Sequence, residues 1–266
     1  MDRCITLLTD FGLKDASAAV ARNIVMQYNP GSPLLDITHT ASGTVLTETA
    51  YLLASSYRDF PEHSCHIVYT GIYYTKIPVL ILCQQNNHYF LAPDNGVLPL
   101  ALKDNFQAWK CFELDDDVSF RDWQHICAST IQALADKTPD EIGLLPLEPA
   151  EVNKKEWPVP IAADNWVDCQ ILHLSYNGNV VINITRDYFE TLRGARNFRI
   201  DVAGLGKVTA FSRHPGKVSD SELLCRFNAA GYLEIAVNGG PAADLLGFSA
   251  YSDNQRFYSS VKIFFE

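Results

Sequence analysis

The sequence lacks long hydrophobic runs and carries no excess of basic residues. Uninterrupted apolar stretches such as residues 77–83 are far shorter than the ~20 residues that span a bilayer. The 266 residues have a formal net charge of -10, whereas nucleic acids and anionic membranes are bound by clustered Lys and Arg. We therefore expect neither nucleic acid nor membrane as a partner. A hydrophobic content of 47% is typical of a globular protein with a core of normal size.

The sequence also lacks the short motifs of several functional classes. Its seven cysteines are scattered and form no CxxC pair, which predicts buried thiols in a reducing compartment rather than disulfides or a metal site. There is no GxGxxG after the first strand and no Walker-type GxxxxGK, so no loop is predicted to cradle a diphosphate. The first residues lead into a strand pattern without the features of a signal peptide. We expect a cytoplasmic protein with no metal ion and no resident cofactor.

The first apolar run, Ile5 to Thr9, ends abruptly in Asp10 and Gly12, and Asp15 precedes a helical pattern that begins at Ala16. This order predicts a strand, a turn and a helix. In an open α/β sheet, ligands bind at the carboxyl ends of the strands, where the loops converge. A carboxylate at that edge can accept hydrogen bonds from the two hydroxyls of a ribose. The alternative is that Asp10 is an Asx-turn residue that only shapes the loop.

Strand and helix patterns alternate through the first half of the chain and give way to short alternating segments in the second. Helices are predicted from Ala16, over residues 44–57 and over residues 123–134. The alternation predicts an α/β domain over residues 1–150, with a mostly parallel sheet and helices on both faces. A stretch rich in Pro and charge predicts a linker over residues 151–165. Residues 166–266, with Gly and Asn turns between short strands, predict an all-β barrel domain.

Several short polar segments stand at the ends of apolar runs along the whole chain. They are Thr9-Asp10-Phe11-Gly12, Asp36-Ile37-Thr38-His39, Phe60-Pro61, Pro93-Asp94-Asn95-Gly96, Gly178-Asn179 with Asn183-Ile184, and Gly231 to Asn238 followed by Ala242-Ala243. This ordered set resembles the S-adenosyl-L-methionine hydroxide adenosyltransferases, a family related to the bacterial fluorinase and chlorinase. The resemblance covers nearly the whole chain.

The resemblance implies an adenosine site and an oligomer. It implies a homotrimer in which a small-molecule nucleoside lies between one subunit's N-terminal domain and its neighbour's barrel, with S-adenosyl-L-methionine as substrate or ligand. By position, Asp10 would hold the ribose hydroxyls, with Phe11 beside it among the ligand-binding residues. Asn179 would face the amino-acid end of the ligand, and the backbone of Asn238 and Gly239 would contact the adenine edge. For Gly178-Asn179 the alternative is a tight hairpin turn; for Asp94-Asn95-Gly96 we favour a structural turn.

The chain departs from the family where water is activated. The family's VDPGVG-x-x-R and HGRD-type segments are replaced by residues 66–76, which contain no carboxylate, and by residues 119–125, in which the His is displaced. Tyr73, Lys76 and His125 are the remaining candidates for catalysis. Tyr73 and its neighbours could instead imitate the hydroxyls of halide-transferring relatives, Lys76 could replace the Arg as a positive charge, and His125 could be a proton acceptor or an ordinary satisfied residue.

Three functions remain open from the sequence. The first is a hydrolase in which water attacks the ribose C5′ of S-adenosyl-L-methionine, giving adenosine and methionine. The second is a degenerate relative that binds adenosine or S-adenosyl-L-methionine without efficient chemistry. The third is a trimeric scaffold without a nucleoside ligand.

Overall fold

The chain divides into two compact units, Met1–Glu156 and Trp157–Glu266. The computed structural model describes residues 3–72, 78–103, 105–113, 119–202, 206–212, 214–248 and 260–266. The division between the units falls inside the stretch predicted as a linker, residues 151–165. Each unit has its own hydrophobic core.

The first unit alternates strands and helices. Its elements are β1 (Ile5–Thr9), α1 (Ser17–Tyr28), β2 (Leu34–Thr38), α2 (Leu46–Ser56), β3 (Cys65–Tyr69), β4 (Val79–Gln85), β5 (His88–Pro93), α3 (Val97–Leu102), β6 (Gln107–Glu113), α4 (Phe120–Ala133) and β7 (Leu145–Leu147). A 3₁₀ turn, Tyr57–Asp59, follows α2. The strands form one sheet in the order β2-β1-β3-β5-β4-β6-β7.

Four neighbouring strands of this sheet are parallel, and the remaining three are added in antiparallel pairings. β1 pairs in parallel with both β2 and β3, and β3 pairs in parallel with β5. β4 pairs antiparallel with β5 and β6, and β6 with β7. Because β2, β1, β3 and β5 run the same way, their carboxyl ends and the loops that follow them lie along one edge of the sheet. This arrangement brings together segments that are 60 residues or more apart in sequence, such as the ends of β1 and β3.

Helices cover both faces of the sheet. Ile5 and Leu7 of β1 belong to one buried cluster with side chains of α1 and α4, such as Ile24 and Ile131. The alternate residues of the strands face the other side, where the ring of Tyr57, just after α2, packs edge-on against His66 of β3. An α/β unit with a mostly parallel sheet and helices on both faces is therefore confirmed.

The second unit is dominated by antiparallel strands. Its elements are β8 (Ile161–Ala162), β9 (Trp166–Leu174), β10 (Val180–Thr185), α5 (Arg186–Arg193), β11 (Phe198–Val202), β12 (Gly206–Val208), β13 (Leu223–Phe227), β14 (Tyr232–Val237), α6 (Ala242–Leu245) and β15 (Ser260–Phe265). The sheet runs β12-β11-β15-β9-β10-β14-β13, and β8 pairs with β9. It curls around a core of apolar side chains from every second residue, which confirms the predicted barrel-like domain.

The predicted elements agree with the structure to within a few residues, and several elements were not predicted. α4 begins at Phe120, three residues before the predicted start, because Ser119 and Asp122 form a capping box. The unpredicted elements include α3, β6 and α5. Among the described residues, no helix is long and apolar enough to cross a membrane.

Candidate functional site

The carboxyl edge of the parallel strands gathers polar groups around Asp10. The backbone N–H of Gly71, just after β3, donates a 2.9 Å hydrogen bond to Asp10 Oδ2. The Asp10 N–H in turn donates to the carbonyl of Tyr69 at 3.2 Å. The end of β1 is thus fastened to the end of β3 through both the main chain and the side chain of Asp10. Its other carboxylate oxygen receives no hydrogen bond from another described residue, and Asp10 as a whole is exposed.

Two glycines make the close approach to Asp10 possible. A Cβ on Gly43, in the loop after β2, would lie 2.4 Å from Asp10 Oδ2. A Cβ on Gly71 would lie 2.8 Å from the carbonyl oxygen of Gly43, and Gly71 also has a φ of +64°. The Asp10 carboxylate therefore packs against the backbone of two neighbouring loops. A larger residue at either glycine would displace the carboxylate or the loop next to it.

The electrostatic setting of Asp10 combines two opposing effects. Partial burial raises the pKa of the Asp10 carboxyl above its usual value, while the Gly71 N–H lowers that pKa by stabilising the charged form. An exposed carboxylate that is held by a neighbouring backbone donor, with one oxygen free of hydrogen bonds from other described residues, can accept hydrogen bonds from vicinal hydroxyls. This is the role that the sequence predicts for Asp10.

Phe11 is held in an aromatic cluster next to Asp10. Its ring stacks on Tyr69 at a centroid distance of 5.9 Å and meets Phe120 edge-on at 5.6 Å. Tyr69 and Phe120 also pack edge-on. The cluster joins the loop after β1 to the first turn of α4, and the Phe11 ring is packed within it. A contact between Phe11 and a ligand stays a prediction.

A cleft of about 470 Å³ lies between the first turns of α1 and α4. It is lined by Asp15, Ala16, Ser17, Val20, Ser119, Phe120, Arg121 and Gln124. The sequence places Asp15 as the cap of a helix that begins at Ala16, whereas α1 begins at Ser17, with Ala16 at the N-cap position and no side-chain cap bond. Asp15 instead accepts a 2.8 Å hydrogen bond from the Ser17 N–H, two residues on, as in an Asx turn. Arg121 lines the same cleft because α1 packs against α4.

The turn after β5 is structural, as expected. The Asp94 carboxylate accepts bonds from the backbone and side chain of Asn153 at 2.9 and 3.0 Å. Asn95 donates to the Thr70 carbonyl at 2.9 Å and accepts from the N–H of Val97, the first residue of α3, at 3.1 Å. Asn95 therefore links the end of β5 to the loop that carries Gly71, the residue that donates to Asp10.

In the barrel unit, Asn179 is part of a tight hairpin turn between β9 and β10. Its N–H donates to Ser175 Oγ at 3.0 Å and its carbonyl accepts from the Ser175 N–H at 2.9 Å. Its side-chain Nδ2 donates to Glu234 Oε1 at 2.8 Å, an oxygen that Arg226 also contacts at 2.7 Å. The hairpin alternative therefore describes the backbone of Asn179, while its side-chain oxygen has no hydrogen bond with the described residues.

Asn238 is engaged in a similar way. Its Nδ2 donates to the Val218 carbonyl at 2.9 Å, and its main-chain groups pair with Ser221 and Glu222. Gly239 follows in a left-handed conformation, with a φ of +79°. Of the two predicted adenine contacts, Gly239 is the one whose main-chain groups make no hydrogen bond with the described residues.

The three candidate catalytic residues are placed differently. Tyr73 and Lys76 lie outside the described residues. His125 lies on α4, where its ring meets Tyr28 edge-on at 5.7 Å and its buried Nδ1 has no hydrogen-bond partner among the described residues. The structure places His125 against the last turn of α1, whereas Asp10 contacts Gly71. In the described part of the chain, no group of three or more His, Cys, Asp and Glu side chains is arranged to hold a metal ion.

Comparisons with known proteins agree on one family. Residues 5–134 match the family model "SAM hydroxide adenosyltransferase N-terminal domain", and residues 169–253 match "SAM hydroxide adenosyltransferase C-terminal domain". The chain is 26% identical to an (R)-S-adenosyl-L-methionine hydrolase of Salinispora tropica over 91% of this chain and 93% of that relative. It is also 26% identical to a Thermus thermophilus protein of the same name, over 92% of this chain and 96% of that relative.

A solved structure has a similar fold over nearly the full length of the chain. An uncharacterised conserved protein from Thermotoga maritima superposes with a TM-score of 0.79 at 25% identity, over 97% of this chain and 99% of that protein. The two family matches together span most of both units. The chain therefore belongs to the S-adenosyl-L-methionine hydroxide adenosyltransferase family.

Proposed function

We propose that the protein hydrolyses S-adenosyl-L-methionine to adenosine and methionine. A water oxygen forms the new bond to the ribose C5′, the bond from C5′ to sulfur breaks, and its electron pair stays on sulfur. The water's second proton is released. The observation that carries the proposal is the exposed Asp10 carboxylate at the carboxyl edge of the sheet, held by Gly71 in a chain whose relatives are named as hydrolases of this compound.

The roles of the protein in this reaction are mainly orientation and exclusion of water. A sulfonium is already a good leaving group, so catalysis depends on holding C5′ and the attacking water in line. Asp10 accepts hydrogen bonds from the two ribose hydroxyls, and Phe11 forms part of the adjoining wall. Tyr73, Lys76 and His125 remain candidates for orienting the water. No resident cofactor is required, because S-adenosyl-L-methionine is itself the activated substrate.

The test is to incubate the pure protein with S-adenosyl-L-methionine, with and without chloride, and to measure adenosine, chloroadenosine and methionine by mass spectrometry. We expect adenosine and methionine in equal amounts, in excess of a protein-free control. Asp10→Ala abolishes the excess, whereas Asp59→Asn, which changes an exposed carboxylate after α2, leaves it unchanged. Chloroadenosine instead of adenosine would identify a halide transferase, and no product at all would contradict hydrolysis.

A second candidate is an adenosine-binding or S-adenosyl-L-methionine-binding protein that has lost the reaction. It is favoured by the position of His125 against Tyr28 and by the absence of a carboxylate in residues 66–76. A ligand at 100 times its Kd stabilises a protein by about 2.7 kcal/mol. A clear rise in Tm with adenosine, combined with no product, would support this candidate over hydrolysis.

We also propose that the nucleoside is bound by a homotrimer in the cytoplasm. The seven cysteines are free thiols, and six of them are buried, which favours a reducing compartment. Residues from a neighbouring barrel, including Asn179 and Gly239, would complete the site that Asp10 begins. Sedimentation equilibrium should give three times the mass of one chain. A monomer that retains full turnover would contradict the shared site.

A further inference from the structure

His39, the residue after β2, lies buried between two polar side chains. Its Nδ1 is 2.9 Å from Thr9 Oγ1, and its Nε2 is 3.2 Å from Asp36 Oδ1, a close electrostatic contact outside hydrogen-bond alignment. The His39 ring is 6% exposed and Thr9 is fully buried. Asp36 is itself paired with Arg22 of α1. A buried histidine held between a carboxylate and a hydroxyl has a restricted orientation.

The contacts of Thr9 extend this group of residues to the loop that carries Asp10. Thr9 Oγ1, which lies against His39 Nδ1, also accepts a hydrogen bond from the Phe11 N–H at 3.4 Å. Asp36, His39 and Thr9 therefore form a line of contacts that ends in the residue immediately before Asp10 and reaches the residue immediately after it.

The main chain of the same segment holds the turn from the other side. The His39 carbonyl accepts a 2.6 Å hydrogen bond from the Gly12 N–H, and the Ala41 N–H donates to the Thr9 carbonyl at 3.1 Å. Contacts from residues 39–41 thus reach Thr9 and Gly12, on both sides of Asp10. Gly71 and Gly43 constrain the carboxylate itself. The orientation of Asp10 is therefore set by two loops, one after β2 and one after β3.

We propose that His39 is the positioning residue of the nucleoside site: through Thr9 and Gly12 it fixes the Asp10 carboxylate in the orientation that accepts the ribose hydroxyls. The nucleoside part of this inference rests on the proposed function, whereas the orientation of Asp10 does not. His39 is buried and touches Asp10 only through its neighbours. Its removal should weaken recognition of the ribose while the rest of the fold is retained.

The first experiment measures the orientation of Asp10 without a ligand. The Gly71 amide proton, which donates to Asp10 Oδ2, is followed by two-dimensional ¹⁵N NMR in the full chain. Asp10→Ala gives the resonance position of the unbonded amide. Thr9→Val, which removes the hydroxyl but keeps the shape, and His39→Asn should each move the resonance toward that position. The control His63→Asn changes a histidine before β3, at the opposite edge of the sheet, and should not. An unmoved Gly71 resonance in both site variants would overturn the inference.

The second experiment measures recognition of the ribose by isothermal titration of adenosine and 2′-deoxyadenosine. A carboxylate that accepts a bond from the 2′-hydroxyl should give a preference for adenosine of about 10-fold or more. His39→Asn should lower this preference several-fold, and in an Asp10→Ala background it should have no further effect. A general structural defect would instead weaken both nucleosides equally, and that result would overturn the positioning role. A wild-type protein that binds neither nucleoside would contradict the proposed function, while the Gly71 resonance would still decide the orientation of Asp10.

Discussion

The two units use their polar turn residues in opposite ways. In the α/β unit, the exposed residue Asp10 receives a hydrogen bond from the Gly71 N–H on one carboxylate oxygen, and the other oxygen has none from another described residue. In the barrel unit, the amide nitrogens of Asn179 and Asn238 are already used, by Glu234 and by the Val218 carbonyl. One Asp10 oxygen therefore remains available to accept further hydrogen bonds, whereas the side-chain donors of the two asparagines stabilise their own turns. Resemblance to a family motif alone does not distinguish these two situations.

This difference follows from the architecture of the units. Parallel strands deliver several loops to one edge, so a side chain there can be supported by neighbours and remain open to solvent. A tight hairpin such as residues 175–179 needs its own polar groups to satisfy its backbone. Glu234, which is 8% exposed, also requires its partners Asn179 and Arg226, because an unpaired buried charge is costly.

The largest effect should come from Asp10→Ala. Loss of charged hydrogen bonds to two hydroxyls should lower kcat/KM for S-adenosyl-L-methionine by about 100-fold or more, with little change in Tm. Asn179→Ala should lower kcat/KM by less than about tenfold, and it should reduce stability because Glu234 loses a partner. Steady-state kinetics and thermal denaturation give kcat/KM and Tm for both variants. A larger loss of kcat/KM for Asn179→Ala than for Asp10→Ala would contradict the contrast drawn between the two units.

Acid should destabilise the α/β unit more than the barrel, because only the α/β unit has a histidine pair in its described core. His66 Nδ1 is 2.8 Å from Thr6 Oγ1 and its Nε2 is 3.1 Å from His88 Nδ1. Burial, assisted by His88, lowers the pKa of His66 to about 3. The unfolded chain, with a histidine pKa of about 6.5, then binds more protons than the folded chain between these values, so stability is lost as the pH falls through this window.

The size of this acid effect can be measured by chemical denaturation. Between pH 7 and about pH 4.5, the free energy of unfolding should fall by about 2 to 3 kcal/mol from His66 alone. His66→Asn should remove most of this pH dependence of the free energy of unfolding, whether or not the variant is less stable than the wild type at neutral pH. His214→Asn, which changes an exposed histidine of the barrel unit, serves as the control. An equal pH dependence in wild type and His66→Asn would contradict the assignment.

A smaller effect is expected from Gly43→Ala. The added methyl group would lie 2.4 Å from Asp10 Oδ2, so the carboxylate must turn away, and kcat/KM should fall by about tenfold while the fold is kept. Gly216→Ala adds the same group in the barrel unit where nothing lies within 4 Å, and it should change neither activity nor Tm. Full activity in Gly43→Ala would show that the orientation of Asp10 is not important.

Much of the fold could be predicted from local patterns. The apolar run of β1 ending in Asp10, the helix after Asp15 and the change in texture near residue 150 each depend on nearby residues. α3 escaped prediction because Val97–Leu102 is apolar on every side and shows no helical period. α5 lies in a stretch where Gly and Asn turns indicated only short strands. The start of α4 at Phe120 was predicted three residues too late, because the helix begins at the capping box formed by Ser119 and Asp122 and not at the first apolar residue of the helical pattern.

The supports of the candidate site could not be predicted in the same way. The bond from Gly71 to Asp10 joins residues 61 positions apart, and the approach of Gly43 depends on the loop after a neighbouring strand. His39 was recognised only as part of a motif, and its position between Thr9 and Asp36 follows from the parallel pairing of β1 with β2. Local sequence carries no information on which loops meet at the edge of a sheet.

The proposed role of Asp10, at the carboxyl edge of the sheet, is to bind the nucleoside. A crystal structure of the protein with adenosine tests this role most directly. We expect both ribose hydroxyl oxygens to lie within about 3 Å of the Asp10 carboxylate, with the Gly71 hydrogen bond retained. Adenosine bound elsewhere, or bound with its ribose hydroxyls directed away from Asp10, would contradict it.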